Sequence, residues 1–588
     1  MRVRRLSLLC LVVMLTACAP AAPSASPTSP PSQAAQATTA PAAKPAESKP
    51  AESKPAEAKP ADAKPAAAPA NTPITAATTA PASTAPAPKA GGDIIFGQDS
   101  EPDTLDPHVT GSRHTTIAIV NVFDTLVVQD DDLSFKPWLA EKWEISPDQL
   151  TYTFWLKKGV KFHDGTPFNA EAMKFSFDRM VNPDTKSRSA RAAMGPYKSS
   201  EVVDEYTLKV NFSQPFGPFL DSVSSVILAP VSPAAVQKWG PDFGDHPVGT
   251  GPYVFKEWVK KDHVTITKNP DYNWAAPIFK HTGPGYVDSV TFKYITEDPV
   301  RSATLETGET NVINTVPPDD WTRFKNDPKF HVLSGVLTGH PYDWEINTKV
   351  APTNELAVRQ AILYATDKDA VINTLFKGAY IKAYGPLSQP TIAYDKSVEA
   401  MYQFNVAKAR ELLDQAGWKP GPDGIRVKDG NRLHVKWETI IDARPVEQLQ
   451  AQMKEIGMEV EPYLAPLNLH IDIGQKGEGY NLIQLRYVAG DPDTLRVIYH
   501  SKNIGIGFNW SLYSDPALDK ILEDAAASTD LNKRKELYAQ SQKIVMDQAL
   551  TLPLMLSHQL MVTRGEVYGV RLDTRGNTPW MYDAYIAK

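Results

Sequence analysis

The stretch VEQLQAQMKEIGMEVEPYL, residues 446–464, decides how the globular part of this 588-residue chain is read. Val446, Leu449, Met453 and Ile456 recur at helical spacing and so share one face of a helix. Gly457 then supplies the left-handed residue that stops a helix, and MEVEPYL reads as a strand. The same design recurs elsewhere. Asn405 is placed to cap a helix carrying Val406, Ala409, Leu412, Leu413 and Ala416, stopped by Gly417. Asp515 and Pro516 open a helix with Leu518, Ile521 and Leu522. Strands are predicted at YTFWLKK (Tyr152, Phe154, Leu156 on one side), YTLKVNF (Leu208, Val210, Phe212) and VTFKYI (Val290, Phe292, Tyr294). Helix and strand in repetition predict α/β lobes, not a β-sandwich or a helical bundle.

Globular composition begins at Gly91, and nearly 500 residues exceed what one hydrophobic core organises, so two or three domains are expected. Residues 19–90 differ in kind. They are rich in alanine, proline and lysine, and from Lys44 to Pro65 they repeat KPAES, KPAES, KPAEA, KPADA, KP. Without aromatic side chains such a segment cannot bury enough surface to offset the entropy of ordering. It reads as an extended tether, reaching at most about 220 Å in polyproline geometry. A proline-rich ligand for an SH3-like partner is the alternative reading of this segment.

Ahead of the tether, Arg2, Arg4 and Arg5 precede an apolar run from Leu6 to Leu15, too short to span a bilayer and suited to an export signal. Leu15, Thr16 and Ala17 run into Cys18, an ending that resembles the lipobox of bacterial lipoproteins. That resemblance implies cleavage before Cys18, lipidation of its thiol and stable anchoring. An ordinary secreted protein with a chance cysteine is the alternative. The only other cysteine, Cys10, lies in the signal, so the mature chain has neither a disulfide nor a cysteine metal site. Removing residues 1–17 takes away three arginines and no acid, moving the formal charge from −7 to −10. A chain so acidic is a poor nucleic-acid binder.

Signals of catalysis are weak. The twelve histidines form no His-Glu-x-x-His pattern, and neither a nucleophile elbow nor a phosphate-binding loop is present. GTG at 249–251 and GIG at 505–507 lack the third glycine of a dinucleotide loop. FHDG, Phe162 to Gly165, reads as a turn. No enzyme activity, cofactor or metal site is therefore expected, with a secreted hydrolase as the outlying alternative.

Six segments in order resemble the family 5 extracytoplasmic solute-binding proteins of ABC importers, which include oligopeptide, dipeptide and nickel binders. They are GGDIIFGQDSEPDTLDPH (91–108), KPWLAEKWEISPDQLTYTFWLKKGVKFHDGTPFNAEAMKFSFDRM (136–180), HPVGTGPYVFKEW (246–258), ATLETGETNVI (303–313), VRQAILYATDKDAVINTLFKGAY (358–380) and SLYSDPALDKIL (511–522). The resemblance implies two hinged α/β lobes of the periplasmic-binding-protein type. Lobe one would comprise 91–135, 240–345 and 556–588, with an extra subdomain at 136–239, and lobe two 346–555. Trp344 to Asn347 is the expected hinge strand.

It also implies the function: a monomeric, extracytoplasmic, lipid-anchored receptor that closes on a peptide or other medium-sized polar solute and delivers it to a permease, with a separate ATPase supplying the energy. A sensor or adhesin on the same fold is the alternative. In peptide-binding relatives an aspartate in an Ala-Asp-Tyr-Pro-Asp-Pro stretch receives the peptide amino terminus. Here RYVAGDPDTL, Arg486 to Leu495, is shorter, and Asp491 is the expected ammonium partner. Arg486 is expected to meet an anion and Tyr487 an aromatic or sugar face. Trp344, Trp437 and Trp510 are candidate cleft walls. Glu101 and Asp103 read as loop acids.

Overall fold

The computed structural model describes residues 85–587 except 188, 441 and 577. The export signal at 1–17, Cys18 and the tether up to residue 84 lie outside the described residues. Among the described residues no helix is long and apolar enough to cross a membrane.

The deciding stretch folds as it reads. Helix Arg444–Glu455, with Pro445 in its first turn, buries Val446, Leu449 and Met453; Gly457 takes a φ of +77°, and strand Glu459–Leu464 follows. That strand lies parallel to His434–Thr439, so the helix is a crossover between neighbouring strands. They belong to a five-stranded sheet ordered Glu459–Leu464, His434–Thr439, Leu482–Val488, Gly339–Ile346, Thr551–Met555, in which Gly339–Ile346 alone runs antiparallel to the others. Asn405 caps helix Val406–Gln415 through Lys408 N, and Asp515 caps Pro516–Ala527. The apolar faces of the first two helices close over the sheet around Trp344, Trp437 and Leu482.

A second, seven-stranded sheet runs Phe330–Val336, His558–Arg564, Val312–Ile313, Asp93–Gln98, Ser289–Tyr294, His263–Lys268, Tyr253–Val259. Phe96 and Phe292 are opposite one another in the parallel pair, with ring centroids 5.4 Å apart. Beside it, strands Ala140–Ile145, Thr151–Leu156, Thr207–Phe212 and Tyr197–Asp204 form an antiparallel sheet. Tyr152 faces Val210 and Phe154 faces Leu208, so the predicted alternation turns one face inward, where helix Ala170–Val181 is packed.

The chain crosses between the two large sheets twice. Phe330–Val336 belongs to one and Gly339–Ile346 to the other; Thr551–Met555 and His558–Arg564 divide in the same way. The crossings meet where Leu337 N donates to Ser557 O at 2.8 Å. The expected hinge strand, Trp344 to Asn347, is displaced: Trp344 to Ile346 lie in the five-stranded sheet with no solvent exposure, because the apolar Trp344 and Ile346 are used for its core. The lobes also touch away from the crossings. Gly217 N donates to Ala526 O at 2.8 Å, and Thr529 N donates to Gln149 Oε1 at 2.8 Å.

Candidate functional site

Two arginines, Arg113 on a short helix and Arg486 on a strand of the five-stranded sheet, define the candidate site. Arg113 is the first residue of helix Arg113–Ile119, whose N-cap Ser112 accepts from His114 N. A cation there opposes the helix dipole, and the first turn contains no acid to offset it. Compensation comes from outside the helix. Arg113 Nη2 lies 2.5 Å from Asp99 Oδ2 and donates to Thr315 Oγ1 at 3.0 Å, while Nη1 donates to Gln559 Oε1 at 2.9 Å. Asn314 donates to the other Asp99 oxygen at 2.8 Å. Burial alone would raise the Asp99 carboxyl, but the hydrogen bond with His114 and the charge of Arg113 outweigh it and hold it well below the usual range. The aspartate is therefore a fixed anion that orients Arg113.

Arg486 is contributed by strand Leu482–Val488. It lies on the face of Gln484, which is paired with Trp344 across the sheet. Its surface is open to solvent, yet burial, and then the like charge of Arg113, push the guanidinium below its ordinary value. Both observations fit a side chain that reaches solvent from a recess walled by protein. No carboxylate among the described residues pairs with it, and the phenols of Tyr342 and Tyr380 lie within its electrostatic reach. Burial raises both phenols, so their hydroxyls stay protonated and able to donate. Tyr380 also stacks on His558 of the first lobe, ring centroids 5.4 Å apart. The recess thus offers guanidinium N–H groups and phenol O–H groups, and a carboxylate or similar anion is the group that satisfies them.

The other expected site residues are not gathered here. Trp344 and Trp437 are fully buried and pack edge to face at 5.4 Å inside the core of the second lobe. Trp510 is 2 % exposed, donates from Nε1 to Gly507 O at 3.0 Å, and lies so close to helix Leu467–Lys476 that a Cβ on Gly474 would be 2.4 Å from its ring. These indoles are spent on packing and do not wall a cleft. Tyr487 packs edge to face on Phe508, ring centroids 5.4 Å apart. Asp491 is buried; its Oδ1 accepts from Arg534 Nη2 at 2.6 Å and from Asp493 N at 2.8 Å. Its charge is thus already matched, unlike that of Arg486. The neighbouring Gly490 approaches Asp221 and Arg575 of the first lobe so closely that a Cβ there would be 2.2 Å from Asp221 Oδ1. The GDPD segment is accordingly a contact between lobes.

His163 and Asp164 form the expected turn: Asp164 accepts from Thr166 and Ser232, and the His163 ring meets Gly251 O at 2.9 Å. Asp103 accepts from Thr110 and Thr115, and Glu101 from Lys261 N. One finding runs against the sequence reading. His340, Asp343 and Glu345 converge, all without solvent exposure, where no ligand cluster was expected. Arg113 was also missed; its only signal in the sequence is a cation at the start of a helix with no nearby acid.

Residues 134–505 match the family model described as Bacterial extracellular solute-binding proteins, family 5 Middle. The glutathione-binding protein GsiB of Salmonella typhimurium (strain LT2) is 29% identical over 468 residues, covering 79% of this chain and 89% of that protein. GsiB of Pectobacterium atrosepticum is 29% identical over 459 residues, covering 76% and 86%. Among solved structures, NikA from Brucella suis in complex with Fe(III)-EDTA superposes with a TM-score of 0.75 at 24% identity, over 84% of this chain and 100% of that one. DppA from Helicobacter pylori in complex with the peptide STSA gives 0.68 at 25% identity, over 85% and 99%.

Proposed function

The chain belongs to the family 5 bacterial extracellular solute-binding proteins, and from that premise we propose that it is an ABC-importer receptor whose solute carries a carboxylate. The observation that supports this is Arg486: a solvent-reached guanidinium among protein atoms, with no acid of its own and with Arg113 across the recess. Without a ligand, the two cations disfavour approach of the lobes. A bound anion converts that repulsion into attraction from both sides, so its contacts are complete only when the lobes are shut. Asp99 keeps Arg113 aimed while this happens.

Lobe one would comprise 91–135, 240–337 and 557–588 with its subdomain at 136–239, and lobe two 338–556, the boundary following the crossing near Leu337 and Ser557. Cys18 would hold the receptor on the membrane through two or more acyl chains, and the tether would let it reach the permease. The receptor itself would perform no covalent chemistry. Glutathione, peptides and EDTA, the ligands named for the relatives above, all carry carboxylates.

Calorimetric titration with glutathione, a dipeptide and a tripeptide, each as free acid and as C-terminal amide, tests the reading. At least one free acid should bind, and its amide should bind about 10- to 150-fold more weakly, the worth of a hydrogen bond to a charged group. Equal binding of acid and amide would refute it. Membrane retention of a Cys18→Ser chain would refute the anchor separately.

A further inference from the structure

We propose that His340, Asp343 and Glu345 form a buried site for a divalent transition-metal ion, zinc or manganese by ligand chemistry, next to the interlobe crossing. The sequence HPYDWEI hides it, since ordinary strand alternation sends His340 to one face and Asp343 and Glu345 to the other. The pairing with strand Leu482–Val488 slips by one residue: His340 is opposite Tyr487, but Asp343 is opposite Leu485. Pro341 and Tyr342 therefore share the place across from Arg486, a β-bulge. The bulge turns His340 to the side of Asp343 and Glu345. Tyr342 and Trp344 go to the other face, where their rings meet at 5.4 Å.

None of the three side chains has any solvent exposure. His340 Nε2 lies 2.7 Å from Asp343 Oδ2 and 3.2 Å from Glu345 Oε1. Its Nδ1 is 2.8 Å from Pro386 O, which can only accept, so Nδ1 carries the hydrogen. In a neutral ring Nε2 then presents a lone pair to two carboxylate oxygens, an arrangement that requires a cation between them.

Protons on Nε2 and on Glu345, whose carboxyl burial pushes up, are one answer to the charge. That answer still leaves Asp343 Oδ1 and Glu345 Oε2, both buried, without a hydrogen-bond partner. The buried Lys368 amine donates to Ala383 O at 3.0 Å and acts on Asp343 through its charge, without a hydrogen bond to either orphaned oxygen. A divalent ion balances both acids with a neutral imidazole and can engage the second carboxylate oxygens.

The surroundings suit such an ion. Tyr499 donates to Glu345 Oε1 at 2.8 Å, Thr551 to Asp343 Oδ2 at 2.8 Å, and Pro386 fixes the tautomer of His340, which is how outer groups orient metal ligands. One nitrogen with two carboxylates suits zinc or manganese. Ligands about 2.1 Å from an ion at near-tetrahedral angles stand about 3.4 Å apart, so the His340–Asp343 gap of 2.7 Å must open by about 0.7 Å when the ion enters. Full burial means that the ion enters as the chain folds.

The test measures metal in the full chain, produced with zinc and manganese in the medium and dialysed against EDTA while native. About one equivalent should remain in the wild type, and almost none in Asp343→Asn or Glu345→Gln. Arg486→Met should keep its metal, since the solute recess is separate. The wild type unfolded in EDTA and refolded with zinc or manganese should melt higher than the same protein refolded without either. The proposal is overturned if the wild type retains less than about one-tenth of an equivalent. It is overturned equally if bound metal survives both carboxylate substitutions.

Discussion

Replacing Arg486 with methionine separates binding from folding. In the empty protein its charge has no carboxylate partner, and it is opposed by burial and by Arg113. Removing that charge while keeping a flexible apolar stem should therefore change stability by no more than about 0.5 kcal/mol, as for a surface substitution. Binding should respond very differently. Losing one partner of a charge pair enclosed at an interface costs about 2–5 kcal/mol, which is about 30- to 5,000-fold in Kd. A carboxylate solute at 100 times the wild-type Kd stabilises that protein by about 2.7 kcal/mol. If the variant binds 100-fold more weakly, the same concentration gives only about 0.4 kcal/mol. Scanning calorimetry with and without solute reads both effects. The reasoning is refuted if the empty variant loses more than about 2 kcal/mol, the signature of a structural ion pair. Retention of the wild-type Kd would refute it just as directly.

Other substitutions probe the remaining parts. A Cβ on Gly217 would be 2.0 Å from Ser528 O, so Gly217→Val should weaken solute binding about tenfold or more; unchanged affinity would show that this contact is not needed when solute is bound. Asp491→Ala strands Arg534 and should destabilise the protein by about 3–5 kcal/mol whether or not solute is present. Reduced affinity at unchanged stability would instead return Asp491 to the role of ammonium partner. Burial pushes the Asp124 carboxyl up to about 7, against hydrogen bonds from Trp274, Thr250 and Tyr272. Its folded value lies above its unfolded one, so its contribution to stability is full below about pH 4 and is lost as pH rises through about 7. Chemical denaturation between pH 5 and 8 should show stability falling with pH, less steeply in Asp124→Asn; equal slopes would refute the assignment.

Much of the scaffold was legible because its rules are local. Gly457 ends a helix by backbone conformation, Asn405 begins one by capping, and Tyr152, Phe154 and Leu156 alternate because a strand has two faces. The hinge was read too late because Trp344 and Ile346 look the same whether they cross between sheets or sit within one. The tryptophans misled for a related reason: a large indole serves a core as readily as a ligand wall, and only the three-dimensional neighbours of Trp344, Trp437 and Trp510 distinguish the two. Arg486 was singled out by its place beside the shortened GDPD segment, and its role is the proposal made above. Arg113 was not, because its partners Asp99, Thr315 and Gln559 are distant in sequence. His340, Asp343 and Glu345 escaped because a one-residue bulge reverses the alternation from which facing residues are inferred; Pro341 within the strand was the sole hint.

The central claim is that an anionic solute draws Arg113 and Arg486 together and shuts the lobes. Small-angle scattering of the unlipidated mature chain tests it most directly, since the tether contributes equally with and without solute. The radius of gyration should contract with a saturating carboxylate solute and stay unchanged in Arg486→Met at the same concentration. Superimposable profiles for the wild type, empty and with a solute that calorimetry shows to be bound, would contradict the account.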